Sequence, residues 1–256
     1  MNQTEKAKAF GALHRKGDPV VLYNIWDAGT AKAVADGGAK ALATGSWSVA
    51  AAHGYADGEK LPMSVLVETA KSITAAVDLP LSVDFEGAYS AEPTGAASNV
   101  AKLVEVGAIG INFEDQVVGG DGLYPVERQA ARIRAIREMA EGKNIPFFIN
   151  ARTDLFLAES DLSKHAGLVD EAIERGKAYA AAGSSGFFVP GLIDPALIEK
   201  VCAASPLPVN IMMRTGAPDV KTLAKLGVCR VSYGPVPYRS MMEKLKQEAA
   251  AIYSPL

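Results

Sequence analysis

The segment 108–151 decides the fold, because it contains one complete strand–helix–strand unit. It begins with the apolar run AIGINFE (108–114), continues into the helical pattern PVERQAARIRAIREMAEG (125–142) and ends with the apolar run IPFFINA (145–151). Neither run alternates between apolar and polar residues, which is typical of strands buried on both faces of a parallel sheet. The segment therefore predicts two parallel strands joined by a helix.

The same pattern continues in both directions along the chain. Helical patterns lie between strand-length apolar runs at 19–24, 39–44, 79–84, 108–114, 145–151, 185–190, 207–212 and 228–233. Glycines that suit the end of a helix stand before strands at Gly38, Gly107, Gly183 and Gly227. Eight strand–helix units in a chain of 256 residues predict a single α/β domain, a (β/α)8 TIM barrel over residues 1–256. A helix precedes the first strand, and the last helical pattern (235–254) is long enough to reach a neighbouring subunit.

Composition excludes several classes of protein. Hydrophobic residues make up 49% of the chain and charged residues 21%, which is ordinary for a folded globular protein and unlike a disordered one. The net charge of −3 argues against nucleic acid or an anionic membrane as a partner. Two cysteines, Cys202 and Cys229, and the lack of a signal-like or membrane-length apolar stretch predict buried thiols in a cytoplasmic protein.

Acidic side chains follow two neighbouring strands. Asp84 ends the third run and Glu86 lies just after it, while Glu114 ends the fourth run and Asp115 follows it. The C-terminal ends of barrel strands form the active site, and acids crowded there repel one another unless a cation or a proton intervenes. Ligation by oxygen alone favours Mg²⁺, with Mn²⁺ as an alternative. We therefore predict a metal site at Asp84, Glu86 and Glu114.

Other strand ends offer groups that could bind a substrate. Arg152 can hold a carboxylate or phosphonate through two parallel hydrogen bonds. The small residues and backbone N–H groups of the segment Gly45-Ser46-Trp47 could hold a further substrate oxygen. For Asp27 and Asp154 a simpler explanation is equally open, namely that each caps the helix that follows. The candidate substrate contacts at these strand ends are Tyr23, Gly45, Ser46, Trp47 and Arg152.

Four motifs occur in order at these strand ends. They are YNIWDAGTAKAVADGGAKALATGSWSVAAAHGYADG (23–58), SVDFEGAYS (82–90), GINFEDQ (110–116) and INARTD (149–154). Together they resemble the isocitrate lyase / phosphoenolpyruvate mutase superfamily over about residues 18–233. The resemblance implies a Mg²⁺-dependent barrel enzyme that acts on 2-oxo or 2-hydroxy acids through an enolate stabilised by the metal. It also implies a homodimer or homotetramer in which a C-terminal helix is exchanged.

The resemblance assigns roles to individual residues. Gly45, Ser46 and Trp47 match the segment that cradles the substrate, and Arg152 matches the arginine that grips it. Asp57, Asp84, Glu86 and Glu114 match acids of the metal shell, and Asn210 matches a polar substrate contact. The superfamily's lyases carry K-[KR]-C-G-H in the loop after the fourth strand, whereas this chain reads QVVGGDGLY (116–124). In that loop Asp121 and Tyr124 are the candidates for handling a proton.

These observations predict a Mg²⁺-dependent lyase that cleaves a C–C bond of a small 2-oxo or 2-hydroxy dicarboxylic acid. Two alternatives stay open. A phosphoenolpyruvate or phosphonopyruvate mutase or hydrolase would break a P–C bond on the same scaffold. A barrel that binds an oxo acid without turning it over would explain why the usual loop residues are absent.

Overall fold

Eight parallel strands form one sheet in the computed structural model, which describes residues 1–253. Their spatial order is β1-β8-β7-β6-β5-β4-β3-β2. Each strand lies within or overlaps a predicted run, so the prediction of a (β/α)8 barrel is confirmed. The strands are β1 (Val20–Leu22), β2 (Leu42–Ala43), β3 (Leu81–Asp84), β4 (Gly110–Glu114), β5 (Phe148–Arg152), β6 (Gly186–Phe188), β7 (Val209–Met212) and β8 (Arg230–Ser232).

Eleven α-helices in the described part of the chain surround this sheet. They are α1 (Gln3–Ala12), α2 (Ala28–Asp36), α3 (Ser46–Ala52), α4 (Met63–Ala76), α5 (Pro93–Glu105), α6 (Val126–Gly142), α7 (Leu155–Ala158), α8 (His165–Ala181), α9 (Pro195–Ala204), α10 (Val220–Lys225) and α11 (Val236–Tyr253). The predicted last helix ran to residue 254, which lies outside the described residues. Within residues 1–253 no helix is both long and apolar enough to cross a membrane.

The four predicted helix-ending glycines adopt the conformation that their position requires. Gly38, Gly107, Gly183 and Gly227 all have φ between 90° and 98°, a region that residues with a side chain rarely adopt. Each lets the chain leave a helix and turn directly into the next strand, which keeps the strand–helix units short.

The barrel closes between β1 and β2 without a ladder of paired residues. A single parallel bridge joins Ile25 to Thr44, just beyond the two strands. Around it, the Ile25 N–H donates to the Ala43 carbonyl (2.9 Å) and the Gly45 N–H donates to the Ile25 carbonyl (3.2 Å). By contrast β4 and β5 pair at five consecutive positions. The β1–β2 seam is therefore held by fewer backbone bonds than the β4–β5 pair.

The amphipathic patterns around His14 and His165 predict both rings on the surface, but His165 is buried and His14 is only partly exposed, so that prediction is wrong. His14 stacks on Phe148 with ring centroids 4.2 Å apart, and burial lowers its pKa to about 3, which leaves the ring neutral at pH 7. His165 is buried beside Phe156, and its Nε2 lies 2.9 Å from the Glu159 carbonyl. Helical periodicity shows which face of a helix is apolar. It does not show that a histidine ring attached beside that face can extend across it and become buried. The expected burial of both cysteines is confirmed.

Candidate active site

A cavity of about 190 Å³ lies at the C-terminal ends of the strands. Polar side chains in or just after five strands, one at the start of α3 and one in a loop contribute to its wall, and apolar side chains form most of the remainder. The polar lining consists of Asn24, Ser46, Asp57, Asp84, Asn112, Arg152 and Ser232. The apolar lining consists of Trp47, Leu157, Phe188, Pro190, Met212 and Pro235.

Asp84 is held firmly in the wall of this cavity. It ends β3, and its own N–H donates to Thr44 Oγ1 (2.9 Å). One carboxylate oxygen accepts the Ser46 N–H (2.9 Å), and the other accepts Asn112 Nδ2 (3.2 Å). One donor lies on the neighbouring strand β4, and the other lies at the start of α3, which follows the neighbouring strand β2. Because the carboxylate is held from both sides, it has one orientation, toward the cavity.

Arg152 lies between two acids at the ends of β4 and β5. Its Nε and Nη2 donate to the two oxygens of Asp154 (2.5 and 2.8 Å), and its Nη1 pairs with Glu114 (2.8 Å). Glu114 is also its register partner in the sheet. A guanidinium has five N–H groups, so two remain for a ligand after these contacts. Arg152 therefore reaches the cavity already oriented.

Of the two possible helix caps, Asp27 and Asp154, only Asp27 caps a helix with its side chain. Asp27 caps α2, since its carboxylate accepts the Thr30 N–H (2.7 Å). Asp154 precedes α7 but makes no capping hydrogen bond with its side chain, which is used for Arg152 instead. Asp154 is therefore part of the site, whereas Asp27 is a structural residue.

Glu86 is held by reciprocal hydrogen bonds between two loops. Its carboxylate accepts the Glu59 N–H (2.9 Å), and the carboxylate of Glu59 accepts the Tyr89 N–H (2.7 Å). Glu86, Ala88 and Tyr89 all have φ between 49° and 59°, the left-handed region that costs non-glycine residues about 1 kcal/mol or more each. Such a conformation persists only where neighbouring contacts impose it. The two loops consequently bring Asp57, on the first, close to Glu86 on the second.

Negative charge is only partly compensated around the cavity. Burial raises the pKa of Glu86 to about 8, and repulsion from Asp57 and Asp84 adds to the effect. Burial, followed by repulsion from Asp84, also raises the pKa of Asp57. Burial holds the pKa of Glu114 well above its ordinary value even though Arg152 opposes this. A bound cation would relieve the mutual repulsion of these acids.

The donor set fits Mg²⁺ held largely through water. In the described chain, residues 1–253, no three His, Cys, Asp or Glu side chains are grouped so that they could ligate one ion directly. The predicted trio of Asp84, Glu86 and Glu114 is therefore not assembled as direct ligands, because Glu86 bonds to Glu59 and Glu114 pairs with Arg152. Mg²⁺ usually keeps several waters and takes one or two carboxylates, and Asp84 with Asp57 nearby offers that number.

The predicted substrate-cradling segment lines the cavity, but two of its backbone donors are occupied. The Gly45 N–H bonds to Ile25 and the Ser46 N–H bonds to Asp84. The Trp47 N–H belongs to the first turn of α3, where N–H groups have no acceptor within the helix. Of the three donors, Trp47 is thus the one that can reach a ligand oxygen.

The two candidate proton-handling residues lie away from the cavity. Both belong to a hairpin, residues 116–123 with Tyr124 at its end, in which Gln116 pairs with Leu123. Asp121 is exposed at the tip. The Tyr124 ring lies 4.5 Å from the Arg132 guanidinium and lines a separate cavity. In this conformation neither side chain faces Asp84, so their proposed role stays a prediction.

Tyr23 and Asn210 also lie outside the cavity. Tyr23 is exposed and packs on Tyr233 with ring centroids 5.3 Å apart. Asn210 is completely buried in the barrel interior, where its Oδ1 accepts Asn150 Nδ2 (3.1 Å). Their predicted substrate contacts are therefore not seen in this arrangement and stay predictions.

Sequence reasoning missed a layer of amides in the barrel interior. Asn150 Nδ2 donates to Asn112 Oδ1 (2.9 Å) as well as to Asn210, and the buried Arg230 also donates to Asn112 Oδ1 (3.1 Å). Two donors on that oxygen orient the amide of Asn112 so that its Nδ2 points to Asp84. A single asparagine inside an apolar strand run (GINFE, FFINA, PVNIM) is the signal that could have revealed this layer.

Fold and site together define a (β/α)8-barrel enzyme whose strand ends carry a carboxylate-rich pocket around one arginine. The model of the phosphoenolpyruvate phosphomutase family matches residues 10–253, and the chain belongs to that family. It is thereby a member of the superfamily of isocitrate lyases and phosphoenolpyruvate mutases, as the four motifs predict.

Relatives cover nearly the whole chain. An uncharacterized protein of Mycobacterium tuberculosis H37Rv is 34% identical over 95% of this chain and 88% of its own length. The 2-methylisocitrate lyase of Escherichia coli K12 is 26% identical over 100% of this chain and 86% of its own. A crystal structure from Burkholderia cenocepacia J2315, provisionally named a phosphonomutase, is 45% identical with a TM-score of 0.95, covering 98% and 99% of the two chains.

The fold is also shared with an enzyme crystallised with a metal. A phosphonopyruvate hydrolase in complex with oxalate and Mg²⁺ is 22% identical to this chain, with a TM-score of 0.83 over 98% of this chain and 87% of its own. At that identity the likeness concerns the fold alone.

Proposed function

We propose that this protein is a Mg²⁺-dependent lyase that cleaves a C–C bond of a small 2-oxo or 2-hydroxy dicarboxylic acid. The observation that carries the proposal is Asp84, fixed by two hydrogen bonds in the wall of a cavity that it shares with Arg152. The mutual repulsion of the acids around the cavity supports the metal, and the 2-methylisocitrate lyase among the relatives of this chain supports the reaction.

Each residue of the pocket has a distinct task in this reaction. Asp84, with Asp57 nearby and Glu86 and Glu114 behind it, would hold the ion and its waters. The bound ion would supply positive charge to the substrate oxygen on which negative charge develops when the C–C bond breaks. Arg152 would bind a substrate carboxylate through its two remaining N–H groups.

Two further features of the pocket support a small, partly apolar acid. The Trp47 N–H can donate to a second substrate oxygen from the first turn of α3. Phe188, Met212 and Leu157 give the cavity apolar surface that excludes water from the carbon skeleton. A cavity of about 190 Å³ is sized for a few carbon atoms and their carboxylates.

A P–C bond-breaking enzyme is the second candidate, because the matching family model is named for a phosphoenolpyruvate phosphomutase and the Burkholderia cenocepacia structure for a phosphonomutase. In that case Arg152 and the ion would hold a phosphonate, which a guanidinium binds as readily as a carboxylate. An oxo-acid-binding barrel without turnover is the third outcome that the test below separates.

The test is turnover with Mg²⁺ and a substrate panel. Oxaloacetate, alkyl-malates, methylisocitrate and phosphonopyruvate are incubated separately, and oxo-acid or phosphate release is followed by NMR. Oxo-acid release from a carbon acid supports the lyase, and phosphate release from phosphonopyruvate supports the second candidate. Binding by calorimetry without any turnover would contradict both. Asp84→Asn should weaken Mg²⁺-dependent binding at least about tenfold, whereas Asp36→Asn, at an exposed acid of α2, serves as the matched control.

We further propose a homodimer or homotetramer. The support is α11, in which Pro237 is buried while Met241, Leu245 and Ile252 expose about half or more of their surface. Apolar side chains exposed along one helix suit a contact with another copy of the chain. Light scattering behind size exclusion measures the mass, and a monomer at micromolar concentration would contradict the proposal.

A further inference from the structure

Asp115, the residue after Glu114, is anchored by a helix that does not line the cavity. It is completely buried, and one of its oxygens accepts the Tyr179 hydroxyl (2.7 Å) and Arg175 Nη1 (3.2 Å). Both donors lie on α8. The other oxygen accepts the Asp154 N–H (3.0 Å). A buried carboxylate with three donors is fixed in position, since each contact satisfies a charge that burial would otherwise penalise.

The same arginine also holds the far end of the hairpin 116–123. Arg175 Nη1 donates to the Tyr124 carbonyl (3.0 Å), and the Tyr124 N–H donates to the Asp115 carbonyl (2.7 Å). Asp115 and Tyr124 are the residues that flank the hairpin on its two sides. One guanidinium therefore ties both ends of the hairpin to α8.

The hairpin stands beside the candidate active site. Gln116, Gly122 and Leu123 line a cleft of about 320 Å³ together with Asp57 and Arg152, residues that also line the cavity described above. The tip, by contrast, is exposed and rich in glycine. A fixed base and a glycine-rich tip are the properties of a segment that moves at its tip alone.

A continuous chain of contacts leads from α8 to the substrate-binding arginine. Arg175 and Tyr179 hold Asp115, Asp115 holds the backbone of Asp154, and the carboxylate of Asp154 binds two nitrogens of Arg152. Displacement of Asp115 would shift Asp154 and with it the guanidinium plane. Because binding a carboxylate through two hydrogen bonds depends on the orientation of that plane, a small rotation of the guanidinium would weaken substrate binding.

We infer that Arg175 and Tyr179 are positioning residues, which orient Arg152 and fix the base of the hairpin without touching the substrate. The inference about Arg152 rests on the proposed function, because it assumes that the ligand is an acid. The part concerning the hairpin depends on the contacts alone.

Conservative variants test this inference. Tyr179→Phe keeps the ring that packs on Phe187 and removes the hydroxyl, so it is expected to fold. Arg175→Lys keeps the charge but loses the planar guanidinium that reaches Asp115 and Tyr124 at once. Glu171→Gln is the matched control, because Glu171 is half-exposed and bonds to Arg175 but not to Asp115.

The measurements are oxalate binding with Mg²⁺ by calorimetry and hydrogen exchange across 116–124. We expect Tyr179→Phe and Arg175→Lys to weaken oxalate binding about tenfold and to speed exchange of the Tyr124 amide about tenfold, as loss of a hydrogen bond to a charged group predicts. Glu171→Gln should match the wild type. Variants that melt earlier yet bind oxalate and exchange like Glu171→Gln would overturn the inference. If the wild type does not bind oxalate, the proposed function fails, and the exchange data still decide the positioning role.

Discussion

Glu86→Gln should raise the stability of the metal-free protein at alkaline pH. Glutamine has the shape of the protonated glutamate and can still accept the Glu59 N–H. The folded state raises the pKa of Glu86 from 4.5 to about 8, so between these pH values the folded chain binds more protons than the unfolded chain. The free energy of unfolding of the wild type therefore falls as pH rises across this window.

The size of the effect follows from the two pKa values. At about 1.4 kcal/mol for each pH unit, the free energy of unfolding of the wild type falls by about 3 kcal/mol at pH 7 and by about 4 kcal/mol at pH 8, relative to pH 4. Glu86→Gln carries no such penalty. The free energy of unfolding of the variant should equal that of the wild type near pH 4.5 and exceed it by about these amounts at pH 7 and 8.

Urea unfolding in EDTA at several pH values from 4.5 to 8 measures the difference. Glu68→Gln, at an exposed glutamate of α4, is the matched control and should run parallel to the wild type. Parallel curves for Glu86→Gln and the wild type would refute the reasoning, because they would show that Glu86 is ionised in the folded protein throughout this range.

Three other changes have defined outcomes. Gly110→Ala should lower the free energy of unfolding by about 2 kcal/mol, since a Cβ there would lie 2.7 Å from the Phe148 carbonyl oxygen; an unchanged urea midpoint would contradict this. Arg152→Met should cost about 3–5 kcal/mol at pH 8 by leaving buried Glu114 without its cation. That cost should shrink as pH falls, because burial raises the pKa of Glu114 and a protonated carboxyl needs no cation; a pH-independent cost in urea unfolding would count against the ion pair. Asp84→Asn should weaken Mg²⁺ binding at least about tenfold in calorimetry, and equal binding would place the ion elsewhere.

The strands and the acids at their ends were predictable because local pattern determines both. An uninterrupted apolar run marks a strand buried on both faces, and the residue that ends it must lie at the rim of the barrel. Asp84 and Glu114 were found in this way, and each lies where the end of its run places it.

What the side chains contact at the rim could not be read from the same pattern. Glu114 meets Arg152 across a strand pair, and Glu86 meets Glu59 across two loops separated by 27 positions in the chain. Such contacts depend on register and on left-handed loop residues, which no local periodicity encodes. The orientation of Tyr124 away from the cavity likewise depends on Arg132, a residue of the next helix.

The weak seam between β1 and β2 gives Asn24 a second role. Its Nδ2 donates to the Thr44 carbonyl (2.8 Å) across the seam, and its Oδ1 accepts the Tyr233 and Gly234 N–H groups beyond β8 (2.8 and 2.9 Å). One amide thus replaces part of the missing ladder. Asn24 also lines the cavity, so whatever occupies the pocket touches the group that completes the circle of strands. A ligand bound in the pocket would therefore lie beside the hydrogen bonds that close the barrel.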